Sequence, residues 1–279
     1  VFPSRNFWQM YRNWEAIIFG KEQNMSEKET TTDLEKGLRM EREHQFKFNC
    51  HPGVPCFTKC CRDITIVLTP YDVLRLKNGL GISSDEFLEK HTLIVPQEKS
   101  LIPMVILKMN EDDKKCPFVS EKGCAVYDAR PWSCRMYPLD INDDGTFSLI
   151  TDKSKCLGLM EKDTWKISDW LLDQKIEPYE DMNDQLSSIT IPLNAQELDI
   201  DNPKIHKMTF MALYNLDKFR EFVFKSTFLE RLEVEPKRIK KIKESDEDLL
   251  QFAFDWIKFG LFGKKVFAVK DNSLKTSDE

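Results

Sequence analysis
The rhythm of apolar and polar positions changes along the chain. From Asp63 to Thr69 (DITIVLT) the run alternates and predicts a short strand. Ile102 to Met109, Gly123 to Tyr127 and Phe147 to Thr151 read as further strands. Helix starts lie between them. Thr69-Pro70-Tyr71-Asp72 offers a capping hydroxyl, a proline preset for the first turn and an acid that complements the helix dipole. Ser84-Asp85-Glu86-Phe87 repeats the pattern, and Asp143-Asp144-Gly145 signals a turn.

From about Trp165 onward the period becomes helical. Ser168 is the expected cap of DWLLDQ, and Pro178 opens a segment through Ile189. Asn202-Pro203 opens another, which carries Ile205, Met208, Phe210 and Leu213. Ser245, followed by Asp246, Glu247 and Asp248, heads a helix running to Gly260 or Gly263. Phe252, Trp256 and Phe259 fall on one stripe of it, the pattern of a helix packed against its neighbours.

The ends carry less information. Phe7, Trp8, Tyr11 and Trp14 fit an amphipathic helix. Yet Val1 is not a start residue and Met25-Ser26-Glu27-Lys28 looks like a natural beginning, so residues 1–24 are either that helix or an appended segment. The lead-in extends through residue 45, and residues 271–279 are expected to be a disordered tail.

Composition narrows the class. The chain has 279 residues, 41% hydrophobic and 32% charged, which suffices for a packed core. A net charge of −6 argues against general nucleic-acid binding, which needs clustered cations. The basic run Lys237-Arg238-Ile239-Lys240-Lys241-Ile242-Lys243 is followed at once by acids from Glu244 to Asp248 and reads as a solvated helix face. No stretch approaches the roughly 20 consecutive apolar residues of a membrane span. No secretion signal is evident, so a cytoplasmic location and no membrane partner are expected. No protein partner can be named.

The cysteines are the chemical signal. All eight lie between Cys50 and Cys156, spaced C-x5-C-x3-C-C (Cys50, Cys56, Cys60, Cys61), then C-x7-C-x9-C (Cys116, Cys124, Cys134), then Cys156. This confinement predicts a cysteine domain over 46–160 and a helical region over 161–270. Where disulfides rarely persist, such clustering points to metal, with buried thiols or disulfides as the other reading. Thiolates suit zinc, iron or iron–sulfur clusters. The spacing leaves two four-thiolate sites and one cluster with spare structural cysteines both open. Adjacent Cys60 and Cys61 argue against one simple mononuclear site. Lys59, Arg62, Lys115, Arg135 and Lys155 flank the cysteines, and nearby cations favour thiolates.

These segments resemble the YkgJ-type cysteine-cluster family, described as a zinc- or iron-chelating domain. The resemblance rests on Cys56-Phe57-Thr58-Lys59-Cys60-Cys61-Arg62-Asp63-Ile64, Leu68 to Val73, Cys116-Pro117-Phe118-Val119, Gly123 to Tyr127, and Ala129 to Pro138 (ARPWSCRMYP), and covers roughly 46–160. It implies that the eight cysteines ligate metal. The first spacing is wider than the C-x2-C of many members, and His51 stands beside Cys50 as a substitute donor. Pro131 and Pro138 bracket a short helical turn that aims Cys134. Arg130 and Arg135 are candidate donors to thiolates or to an anionic cofactor, or else partners of Asp128 or Asp140. The C-terminal half looks like the tail of longer bacterial members.

The expected fold is α+β: a metal-stapled cysteine domain of short strands and helices, then a mostly helical region. The expected function is binding of iron, as an iron–sulfur cluster, or of zinc. The alternative is an iron–sulfur enzyme related to flagellin lysine methylases that use S-adenosylmethionine. For that enzyme no catalytic residue can be named: Gly79-Leu80-Gly81 stops short of GxGxxG, with Ser84 at the third position, and His44, His51, His91 and His206 are scattered.

Overall fold
A computed structural model of the chain describes residues 37–97, 100–195 and 202–270. The expectations for residues 1–24 and for the tail lie outside the described residues. The fold is α+β, with helices and short two-stranded antiparallel sheets. Its described residues form two compact units that interleave in sequence, 37–66 with 109–187, and 67–108 with 188–270. This differs from the linear division expected at residue 160, because the insert 67–108 packs with the C-terminal helices.

In the first unit three strand pairs frame the chain. Gln45–Lys47 pairs with Thr164–Lys166, Val119–Ser120 with Gly123–Cys124, and Leu139–Ile141 with Phe147–Leu149. The alternation of each strand sends one face inward: Phe46, Leu139, Ile141 and Phe147 are buried. Phe48 and Trp170 meet edge-on at 5.3 Å, as do Trp165 and Trp170, and the Trp165 indole N–H donates to the Phe48 carbonyl at 3.0 Å. Pro131 precedes the short helix Trp132–Met136, as the bracketing prolines predict. Ser168 does not cap the next helix: Ile167–Asp173 begins one residue earlier, straight from the strand that ends at Lys166.

In the second unit the capping signals decide the helix ends. Thr69 and Asp72 form a reciprocal capping box at the start of Pro70–Leu80, and Gly81 (φ 67°) ends that helix in the left-handed region. The next helix is Ser84–His91, capped by Ser83 rather than Ser84. The strand predicted over Asp63–Thr69 reduces to one bridge, Val67 with Ile106. In its first half Asp63 N–H bonds to Lys114 O, and the chain passes from the first unit to the second after Ile66. Thr92–Val95 pairs with Met104–Leu107, a shorter strand than Ile102–Met109.

The C-terminal helices are Pro203–Tyr214, Leu216–Lys225, Phe228–Arg231, Pro236–Glu244 and Asp246–Phe262. Asn202 and Ser245 cap as expected. The break at Asn215 has no proline or glycine to signal it; Asn215 ends one helix and caps the next through Lys218 N–H. Phe252 and Trp256 pack into an aromatic cluster with Phe219 and Phe228, and Phe259 meets Phe267 at 5.8 Å. Burying each such ring contributes about 1.5–3 kcal/mol. The basic run forms Pro236–Glu244 with Ile242 fully buried, while Arg238 pairs with Asp255 and Lys241 with Asp248. No helix among the described residues is long and apolar enough to cross a membrane.

Candidate metal centre
All eight cysteines lie in the first unit, and each carries a thiol rather than a disulfide. Four stretches of chain deliver them. The stretch 51–61 is a string of tight turns: Val54 N–H bonds to His51 O, Phe57 to Val54, Lys59 to Cys56 and Cys61 to Thr58, at 2.8 to 3.1 Å. Thr58 sits at φ 62°, an uncommon conformation for a β-branched residue. Asp63 (φ 51°) and Lys114 (φ 56°) adopt the same region beside Cys61 and Cys116. Left-handed backbone so concentrated around the cysteines is local strain that the surrounding hydrogen bonds must hold.

Backbone pairing then brings distant cysteines together. Asp63 N–H bonds to Lys114 O, and Cys116 N–H to Cys61 O, both at 2.9 Å. Val119 pairs with Cys124, and Ala125 N–H donates to Phe118 O. Gly123 (φ 109°) lets Phe57 lie against it, with the ring 3.3 Å from where a Cβ would stand. On the other side, Asn49 N–H bonds to Gly158 O at 3.0 Å, and a Cβ on Gly158 would come within 2.7 Å of the Asn49 carbonyl. Only glycine allows this approach, and it sets Cys50 beside the Cys156 segment.

The thiols influence one another. Partial burial first, and then the sulfurs of Cys60, Cys156 and Cys56, push the Cys50 thiol up to about 11. Cys156 is raised by burial and by Cys56, against the Tyr137 hydroxyl and the Gly158 and Leu159 N–H groups, which favour its thiolate. Cys61 is raised by its hydrogen bond to Cys60, then by burial, then by the charges of Cys60, Cys134 and Cys116. Burial and Cys124 raise Cys116, and burial raises Cys124. Cys60 moves the opposite way, to about 7, because Cys61 donates its thiol hydrogen to the Cys60 sulfur.

Backbone amides supply the complementary donors. Phe118 N–H points to the Cys116 sulfur, Val126 N–H to Cys124 and Gly158 N–H to Cys156, each two residues on. Leu157 N–H donates to Cys56 Sγ at 3.2 Å. These groups are arranged to receive negative sulfur, which is the ligand form. The donor set therefore fits a soft metal in its chemistry. As placed, no group of three or more His, Cys, Asp or Glu among the described residues is positioned to hold an ion.

The two arginines take a role different from the one expected. Arg135, almost fully buried, gives Nε to Arg130 O, Nη1 to Gln174 O and Nη2 to Asp128 O. It reaches the backbone carbonyl of Asp128, not its carboxylate. Arg130 donates to Tyr127 O and to the Gln174 side chain, and its guanidinium lies 3.7 Å over the Tyr127 ring. Its charge still favours the Cys124 thiolate. Both arginines brace the turn that carries Cys134 instead of presenting donors to a cofactor. His51 spends Nδ1 on Gly53 N–H and faces Glu161 with Nε2 at 3.6 Å, the behaviour of a polar loop residue.

Tyr137 and Gly158 belong to the site although sequence reasoning does not single them out. The Tyr137 hydroxyl donates to Cys156 and accepts from Thr151, and burial holds its own proton on. Tyr137 sits in the RPWSCRMYP segment, which is the available signal; nothing local marks Gly158.

Comparison with known proteins agrees with this site. Residues 49–163 match the CxxCxxCC family, described as a zinc- or iron-chelating domain, and the match takes in all eight cysteines. This stretch of the chain is similar to that cysteine-cluster family. No curated protein and no solved structure gives a significant match.

Proposed function
We propose that the protein binds iron through its cysteine thiolates, as an iron–sulfur cluster, with zinc as the competing metal. The observation that carries this reading is the convergence of eight thiols from four stretches of chain, with backbone N–H groups aimed at their sulfurs. Hydrogen bonds to sulfur are a principal means by which proteins tune iron–sulfur clusters. The donors are nearly all sulfur, and His51 is engaged locally, which favours iron–sulfur chemistry over mixed Cys/His zinc sites.

Cys60→Ser and Cys134→Ser test the assignment. Both variants are expected to purify with reduced metal per chain, measured by elemental analysis. Full metal content in both would overturn it.

A further inference from the structure
The second unit holds a cavity lined by none of the cysteines. It lies between the helices Pro203–Tyr214 and Asp246–Phe262 and has a volume of about 230 Å³. Ile205 and Met208 form one wall, and Trp256, Ile257 and Leu261 the other. Residues three or four apart on a helix share a face, so both helices offer an apolar stripe here. Trp256 packs on Phe219 at 5.5 Å and on Phe222 at 5.9 Å, which fixes its ring in the wall.

Gly260 also lines the cavity. It lies inside the helix, where glycine is unfavourable. No close neighbour requires it: it is exposed, and a Cβ there would meet nothing within 4 Å. Its effect is to leave the mouth of the cavity clear. The rim is cationic. Lys204 lines the cavity and is exposed, so its alkyl stem runs along apolar surface and its ammonium stays in water. Among the described residues it pairs with no acid. The helix Pro203–Tyr214 carries Lys204 and Lys207 but no Asp or Glu. From Leu249 to Phe262 the facing helix carries one acid, Asp255, which Arg238 takes. An uncompensated positive rim over an apolar cavity, in a chain of net charge −6, is complementary to an amphiphile with an anionic head.

We infer that this cavity binds a medium-chain aliphatic carboxylate, its chain between the two helices and its carboxylate at Lys204. Size sets the chain length. An apolar cavity of roughly 150 Å³ takes benzene, so one half as large again takes about eight or nine carbons. Binding here does not require the metal.

The test titrates octanoate into the full chain by calorimetry, with octanol and acetate as controls. Wild-type protein is expected to bind octanoate saturably and acetate not at all. Gly260→Leu puts a side chain in the mouth without meeting a packed neighbour, and should weaken octanoate by about tenfold or more. Lys204→Gln should weaken octanoate by about fivefold, the scale of an exposed charge pair, and leave octanol unchanged. Circular dichroism and thermal denaturation check that both variants fold. No saturable octanoate binding to the wild type would overturn the inference. Undiminished binding to folded Gly260→Leu would also overturn it, because the ligand would then lie elsewhere. Octanol binding the wild type as tightly as octanoate would overturn the anionic head and with it the ligand class.

Discussion

The backbone N–H of Leu157 donates to the sulfur of Cys56 at 3.2 Å, although the two lie 101 residues apart in sequence. A backbone amide held against a distant sulfur is a preset partner for a thiolate. Its position depends on Gly158, next in the chain, where the Asn49 carbonyl passes so closely that no side chain fits.

Gly158→Ala is therefore expected to separate the 49–50 segment from the 156–159 turn. The backbone must shift, at a cost of about 1–3 kcal/mol. Metal content should fall along with thermal stability. Unchanged stability and metal would show that this close approach does not organise the site.

Arg135 makes a sharper prediction. Its three carbonyl bonds take Nε–H and one N–H on each Nη. Arg135→Ala should destabilise the protein by about 3 kcal/mol or more, since each hydrogen bond from a buried charge contributes about 1.5–3 kcal/mol. Arg135→Lys should rescue little, because an ammonium cannot span three carbonyls held in a plane. Thermal denaturation of both variants checks this; rescue by lysine would contradict the bracing role.

Tyr137→Phe removes the hydroxyl donor from Cys156 while leaving the ring in place. Metal should be retained, because Tyr137 is not a ligand. The sulfur-to-metal absorption bands should shift, and with a bound iron–sulfur cluster the reduction potential should fall, since a lost hydrogen bond makes the thiolate a stronger donor. An unchanged spectrum would show that the hydroxyl does not address a ligand.

The second unit offers a prediction independent of metal. Lys77, nearly buried, pairs with Asp246 at 2.7 Å and with Asp217 at 3.5 Å, while Arg220 also reaches Asp246. Burial alone would raise the Asp246 carboxyl, but Lys77, Asn78 and Arg220 together hold it below its ordinary value. A carboxyl depressed in the folded state stabilises the fold above the unfolded pKa of about 3.9, and that contribution is lost as pH falls through the folded value. Asp246→Asn should cost about 3–5 kcal/mol at neutral pH, as expected for breaking a buried pair, with much less effect in strong acid. Denaturation at pH 7 and pH 3 checks the sign; an equal cost at both would contradict it.

Much of this fold is legible in the chain. Helix starts at Thr69, Asn202 and Ser245 are readable because capping is local chemistry, written in a residue and its next three neighbours. The cysteine set is readable because eight thiols confined to one region make a soft-metal donor set, whatever the fold that carries them. The interleaving of two compact units is not readable, because 67–108 joins the C-terminal helices through packing between residues more than a hundred positions apart. Nor is the role of Arg135, whose partners are backbone carbonyls that any sequence would provide. The close approach of the 49–50 segment to the 156–159 turn depends on Gly158 and on single backbone bonds, which leave no periodic trace.

The most direct measurement is elemental analysis with a visible spectrum on protein purified without oxygen. The account predicts iron with acid-labile sulfide and a brown absorbance, or, with the competing metal, colourless protein carrying stoichiometric zinc. Folded protein that carries neither metal, with its eight cysteines all reactive as thiols, would contradict it.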